Sequence, residues 1–203
     1  MIESTLLYSG MPNQSKAKED TIQTAEFLDE ILIPLTQLAN NNHIEIFNKQ
    51  QALPQQIITD SNALRMILEN LIMNCIIHGQ SEKTASKIWF TISIKDNDYL
   101  LIEVQDNGTG IAKKEQKQVF KAFVRGKKSE QNQHPGSGLG LNLIKRMVDV
   151  LSGSITLNSP YINSLGLKEN GTQFTVTLPI KFPATQINDA TIKQPQSNKP
   201  DQT

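Results

Sequence analysis

Apolar residues return at spacings of three and four through the first ordered-looking stretch: Ile22, Ala25, Leu28, Leu32, Leu35 and Ala39 share one face of a predicted helix, which Pro34 is expected to kink. Two short β-like pieces follow, "HIEIFN" and "QIITD", parted by a polar loop around Pro54. Asp60 then reads as the N-cap of a second helix, in which Leu64, Ile67, Leu68, Leu71, Ile72 and Cys75 recur at helical spacing until Gly79 stops it. The period shortens to two in "KIWFTISI" and "YLLIEVQD", joined across "KDND" as a hairpin. Helical spacing resumes from Leu139 to Ser152, with Gly153 as the stop, and "SITLNS" and "TQFTVTLPI" close the pattern as strands. Helices and mostly antiparallel strands outside βαβ alternation predict an α+β fold, a two-layer α/β sandwich with a mixed sheet on one layer of helices. The expected domain covers 22–183, after an N-terminal arm of 1–21; the polar, aperiodic stretch 184–203 reads as a disordered tail or linker.

Composition narrows the function by exclusion. Twenty Lys and Arg balance twenty Asp and Glu in 203 residues, so no basic field marks nucleic acid or an anionic membrane as the main partner. No apolar run approaches the roughly 18 residues of a membrane span, and the start lacks the pattern of a secretory signal. The single cysteine, Cys75, cannot form an internal disulfide, and a cytoplasmic location is expected.

Three polar features interrupt this framework. Asn70 and Asn74, four apart, lie on the flank of the apolar stripe of the second helix, with Ile77 and His78 beyond them. They are either surface amides or hard oxygen ligands suited to a magnesium ion shared with phosphates. Asp106 ends a strand ahead of Gly108 and Gly110; "DNG" is an ordinary turn tripeptide, yet a carboxylate fixed by a sheet would select a ligand with N–H donors, such as the adenine amino group. Gly136, Gly138 and Gly140 lead into a helix whose free N–H groups and dipole favour an anion. Neither a dinucleotide-binding turn nor a Walker loop fits there, because "KKSEQNQH" precedes it in place of a strand and no Gly-Lys-Ser/Thr end is present. The polar stretch between Ala112 and Ser137 has the length of a lid, anchored by Val119, Phe120, Phe123 and Val124.

In this order the features resemble the ATP-binding catalytic domain of sensor histidine kinases, in the superfamily of DNA gyrase and mismatch-repair ATPases, over residues 22–182. "DSNALRMILENLIMNCIIHG" resembles the N box, "VQDNGTGI" the first glycine box, "VFKAFVRG" the F box, "GSGLGL" the second glycine box and "GTQFTVTLP" the closing glycine-threonine segment. The resemblance implies a Bergerat-type nucleotide fold binding ATP and Mg²⁺. By it, Asn74 would coordinate the metal with Asn70 assisting, both serving catalysis, and Asp106 would take the adenine amino group. Gly108, Gly110 and Ile111 would shape the adenine slot, with Thr172 supporting that end. Gly136, Ser137, Gly138, Leu139, Gly140 and Leu141 would wrap the triphosphate, Phe120 and Phe123 would anchor the lid, and Arg125, Lys127 and Lys128 are candidates for phosphate contact.

Departures from the family pattern matter as well. Ile77 stands where a lysine is common, removing one phosphate contact, and His78 stands where an aromatic is common; it would stack on adenine or simply favour the helix C-terminus. The superfamily's ATPases and anti-sigma serine kinases carry a glutamate base at the position of Asn70, which cannot accept a proton, and Glu69 points about 100° away. That favours phosphoryl transfer to a histidine over hydrolysis. None of His43, His78 and His134 lies in a helical histidine-acid pattern, so the acceptor is expected on a dimerisation domain, of which Leu6 and Leu7 would be a last turn. A response-regulator receiver domain is the next expected partner. A degenerate nucleotide-binding module and an anti-sigma-type serine kinase are the alternatives.

Overall fold

The computed structural model describes residues 17–80, 85–123, 138–162 and 168–183. Most of the arm 1–21 and all of the tail 184–203 therefore lie outside the described residues.

The first helix, α1, spans Thr24–Asn41, two residues later than the periodicity predicts, because Ile22 belongs to a short strand β1, Asp20–Gln23. Ile22 points inward in either conformation, which is why spacing alone misassigns it. Strand β1 pairs antiparallel with β3, Gln56–Thr59, and the Thr24 amide donates to the Gln55 carbonyl at the point where strand turns into helix. Ala25 is exposed, contrary to expectation; the buried face is Phe27, Leu28, Ile31, Leu32, Leu35 and Ala39. Pro34 sits on the exposed side and the helix runs through it.

Helix α2, Ser61–His78, begins at Asp60, whose carboxylate accepts the Ala63 amide over 3.0 Å. It carries the largest apolar face of the molecule, with Leu64, Ile67, Leu68, Leu71, Ile72, Cys75 and Ile76 all buried. Burying each such aliphatic side chain contributes about 1.5–3 kcal/mol.

These helices lie on a five-stranded sheet of order β2-β4-β5-β9-β6. Its strands are β2, Ile44–Gln50; β4, Ser86–Lys95; β5, Tyr99–Asp106; β6, Ser154–Asn158; and β9, Thr172–Pro179. Only β2 and β4 run parallel, joined by the crossover through β3 and α2; the other three ladders are antiparallel. The β4–β5 hairpin turns through Asp96 and Asn97, at φ 53° and 61°, the left-handed pair that matches strand twist. Inward positions of β4, β5 and β9 alternate as expected, placing Ile88, Phe90, Ile92, Leu100, Ile102, Val104, Phe174, Val176 and Leu178 against the helices. The opposite face is half-exposed, so the fold is the two-layer sandwich that the pattern implies.

Helix α4, Gly140–Val150, fits against α2 and buries Ile144 and Val148; Leu139 is its N-cap, so the helix is shorter at both ends than predicted. Two further elements have no counterpart in the periodicity: a single turn α3, Lys113–Gln116, and a two-stranded ribbon of β7, Tyr161–Ile162, with β8, Lys168–Glu169.

Candidate functional site

Asp106 is the last residue of β5 and stands opposite Thr172 in the β5–β9 ladder. It is 4% exposed. Its Oδ1 accepts the Gly108 amide over 2.9 Å and the Thr172 amide over 3.3 Å, while the Cys75 thiol donates to Oδ2 over 3.7 Å. Oδ1 is thereby engaged by the chain itself and Oδ2, facing a weak donor, retains capacity for another N–H. Burial pushes the acid up to about 6, against the three donors that pull it down, and burial likewise pushes the Cys75 thiol well above its ordinary value.

The walls around this acid are glycines for reasons of space. A Cβ on Gly79 would lie 2.7 Å from Asp106 Cβ, and one on Gly108 would lie 2.7 Å from the Gly79 carbonyl carbon. Gly79 is therefore more than the helix stop that the sequence suggests; its φ of −85° is open to any residue. Gly171, at φ 122°, approaches so closely that a Cβ there would fall 1.9 Å from the Asp106 carbonyl oxygen.

The same turn of α2 faces a second group of residues. Asn70 and Asn74 are half-buried where α4 begins, and a Cβ on Gly140 would lie 3.5 Å from the Oδ1 atoms of both. The Asn70 amide donates back to the Met66 carbonyl over 2.8 Å. Asn74 Nδ2 is buried with no partner among the described residues. An amide donor left open beside two amide oxygens can accommodate a polar ligand. Glu69 turns away, exposed and 4.0 Å from Arg65, which also pairs with Glu30 over 2.7 Å.

Leu139 is buried and Leu141 half-buried at the start of α4. The Gly138 carbonyl accepts the Phe123 amide over 3.0 Å, and Asn142 Nδ2 donates to the Phe120 carbonyl over 2.9 Å. Phe120 packs edge-on against Phe174 with ring centroids 6.5 Å apart, as a core anchor does. Phe123, by contrast, is 68% exposed. His78 is exposed at the end of α2, and Ile111 is half-buried beyond Gly110. Arg125, Lys127, Lys128, Gly136 and Ser137 lie outside the described residues.

Three contributors escape a reading of the sequence: Cys75 behind Asp106, and Ser159 with Gln116 around Ile111. Ser159 Oγ accepts the Ile111 amide over 2.7 Å and donates to the Gly171 carbonyl over 2.6 Å. Gln116 Nε2 donates to the carbonyls of both Ile111 and Ser159. No local pattern distinguishes these from ordinary loop and helix residues; only the tertiary placement does.

Adjacent residues of α2, Asn74 and Cys75, thus touch the α4 start and the β5 acid respectively. Residues 59–181 match the family model described as "Histidine kinase-, DNA gyrase B-, and HSP90-like ATPase". The chain belongs to this ATPase family. The autoinducer 2 sensor kinase/phosphatase LuxQ of Vibrio harveyi is 30% identical over 172 residues, covering 80% of this chain and 18% of LuxQ. The sensor histidine kinase WalK of Bacillus subtilis is 29% identical over 161 residues, covering 79% of this chain and 24% of WalK. The chain therefore spans about a fifth of the length of such curated relatives. Among solved structures, full-length ShkA in complex with AMPPNP aligns with TM-score 0.67 at 23% identity, over 86% of this chain and 33% of ShkA. The mycobacterial sensor histidine kinase MprB aligns with TM-score 0.63 at 23% identity, over 81% of this chain and 99% of that structure. At these identities the likeness is one of fold, and it agrees with the α+β architecture of the family domain. Among the described residues no helix is long and apolar enough to cross a membrane.

Proposed function

We propose that this chain is the ATP-binding catalytic domain of a two-component sensor histidine kinase, passing the γ-phosphoryl group of Mg-ATP to a histidine on a dimerisation domain. The observation that carries the reading is the meeting of Asp106, Asn74 and Gly140 around one stretch of α2. Asp106 Oδ2, ionised at neutral pH, accepts the adenine amino group. Asn74 Nδ2, buried without a partner among the described residues, donates to a phosphate oxygen. Gly140, without a side chain, stands where a Cβ would lie 3.5 Å from the Oδ1 atoms of Asn70 and Asn74.

The donor set fits magnesium in one mode. No cluster of three or more His, Cys, Asp or Glu residues suited to a metal occurs among the described residues, so the protein's own contribution is the Asn74 oxygen with Asn70 behind it. Magnesium bound mainly through waters and phosphates accepts so sparse a site, and it supplies charge neutralisation of the phosphates. Phosphoryl transfer then depends on positioning and electrostatics. Asn70 cannot act as a base, because a carboxamide takes up no proton near neutral pH, and Glu69 is turned away to Arg65. Neither Asn70 nor Glu69 therefore takes a proton from an attacking water, whereas the nitrogen lone pair of a neutral imidazole attacks without prior deprotonation.

His43 lies in the exposed turn after α1 and His78 at the exposed end of α2, and the sequence around neither has the helical histidine-acid pattern of a phosphoacceptor. The phosphoacceptor accordingly belongs to a separate dimerisation domain, a response-regulator receiver domain is the downstream partner, and the reaction takes place in the cytoplasm. Calorimetry with a non-hydrolysable ATP analogue, with and without Mg²⁺, tests the reading: magnesium-dependent binding supports it, and no binding in either condition overturns it. Incubation with γ-labelled ATP supplies the second half: this chain alone should remain unlabelled, and stable label on it would refute an acceptor elsewhere.

A further inference from the structure

We infer that Ser159 and Gln116 are positioning residues that set the distance between the acid and the adenine slot, an inference that rests on the nucleotide reading above. Asp106 is joined to Gly171 and Thr172 by its strand register and by the Gly171 approach, which leaves no room for a side chain. Gly110 and Ile111, the other side of the slot, follow the strand end by a turn and have no ladder of their own. What ties them to the same frame is Ser159. Its buried hydroxyl takes the Ile111 N–H on one side and gives its proton to the Gly171 carbonyl on the other. Both functions of the hydroxyl are used, so it measures one fixed spacing between the two segments.

Gly110 records the same constraint. At φ 73° its missing Cβ would fall 2.7 Å from Ser159 Oγ and 3.0 Å from the Gly171 carbonyl oxygen. The slot backbone is thus drawn against the clamp more closely than any side chain would allow. Gln116, on the α3 turn, completes it by donating to the Ile111 and Ser159 carbonyls. Residues distant in sequence, 110–116, 159 and 171, are held as one unit by side chains whose hydrogen bonds run to Ile111, Ser159 and Gly171.

A clamp of this kind acts on the base and not on the phosphates. The test uses the full chain with Ser159→Ala, Gln116→Ala and Gln116→Glu, the last keeping the shape while replacing the donor by a carboxylate that repels both carbonyls. Binding of a non-hydrolysable ATP analogue and of inorganic tripolyphosphate is measured by calorimetry, and exchange of the Ile111 amide by NMR. Each variant is expected to weaken the ATP analogue about tenfold while tripolyphosphate changes less than about twofold, as the loss of a buried hydrogen bond on the base side requires. Ser159→Ala should also deprotect the Ile111 amide. Equal losses for both ligands, or none for either, would overturn the inference, even where the unmodified chain binds normally. Failure of the unmodified chain to bind the analogue would instead overturn the nucleotide reading. Should Ser159→Ala fail to fold, the half-buried Gln116 variants carry the same decision.

Discussion

Thr172 and Asp106 face each other on neighbouring strands, and the amide of the first donates to the carboxylate of the second over 3.3 Å. The acid is therefore aimed by sheet register, and only its Oδ2 is left for a ligand.

Replacing that oxygen by an amino group separates binding from stability. Asp106→Asn keeps an acceptor for Gly108 and Thr172 but opposes a donor to the adenine amino group. The expected loss is about 1.5–3 kcal/mol of ATP binding, roughly ten- to a hundredfold in affinity. The same change removes a buried charge, so the unliganded variant should be no less stable than the parent in urea at pH 7. An unchanged dissociation constant would take Asp106 out of the site.

Protonation follows the same geometry. The folded state raises Asp106 from 3.8 to about 6, so it binds the proton more tightly than the unfolded chain. The contribution to stability is fully present below about pH 4 and is lost as pH rises through about 6; its size is about 3 kcal/mol. Nucleotide affinity runs the other way, rising with pH through the same window as the acceptor ionises. Cys75→Ala removes one of the donors favouring the ionised form, so the midpoint of the affinity profile should move upward, and Cys75→Ser should restore it. Coincident profiles for all three proteins would show that the thiol has no part in setting the acid.

Gly140→Ala tests the phosphate end. Its added methyl makes only ordinary contact, 3.5 Å from the carboxamide oxygens of Asn70 and Asn74. The helix should gain up to about 1 kcal/mol from the better helix former, while the methyl crowds the oxygens offered to magnesium. Thermal melting and calorimetry together should show a protein that is more stable and binds the ATP analogue about tenfold more weakly, a difference of about 1.4 kcal/mol.

Gly171→Ala should be among the most damaging single changes in the described fold. The φ of 122° and the 1.9 Å approach to the Asp106 carbonyl leave no local escape. A loss exceeding about 4 kcal/mol is expected, read as a collapse of the urea midpoint or as failure to fold.

Long periodic elements were legible without coordinates. The stripe of α2, the Asp60 cap and the Asp96–Asn97 hairpin follow from spacing and turn chemistry that act within a few residues. Strand β1 was not legible, since four residues with a single inward side chain fit a helix start equally well. Among the candidate site residues, Asn74, Asp106 and Gly140 are legible as candidates because they lie in local motifs. Cys75, Ser159 and Gln116 were missed because their partners are 31, 12 and 43 residues away, a separation that spacing cannot encode. Gly79 does stop α2, as its place in the sequence suggests, and its small size, which no local pattern reveals, also leaves room for the acid beside it.

The bond between the Phe123 amide and the Gly138 carbonyl brings together the two ends of an intervening run of fourteen residues, 124–137. The start of α4 is thus moored to the segment after α3 by a main-chain bond which, of all substitutions, only a proline at position 123 could take away.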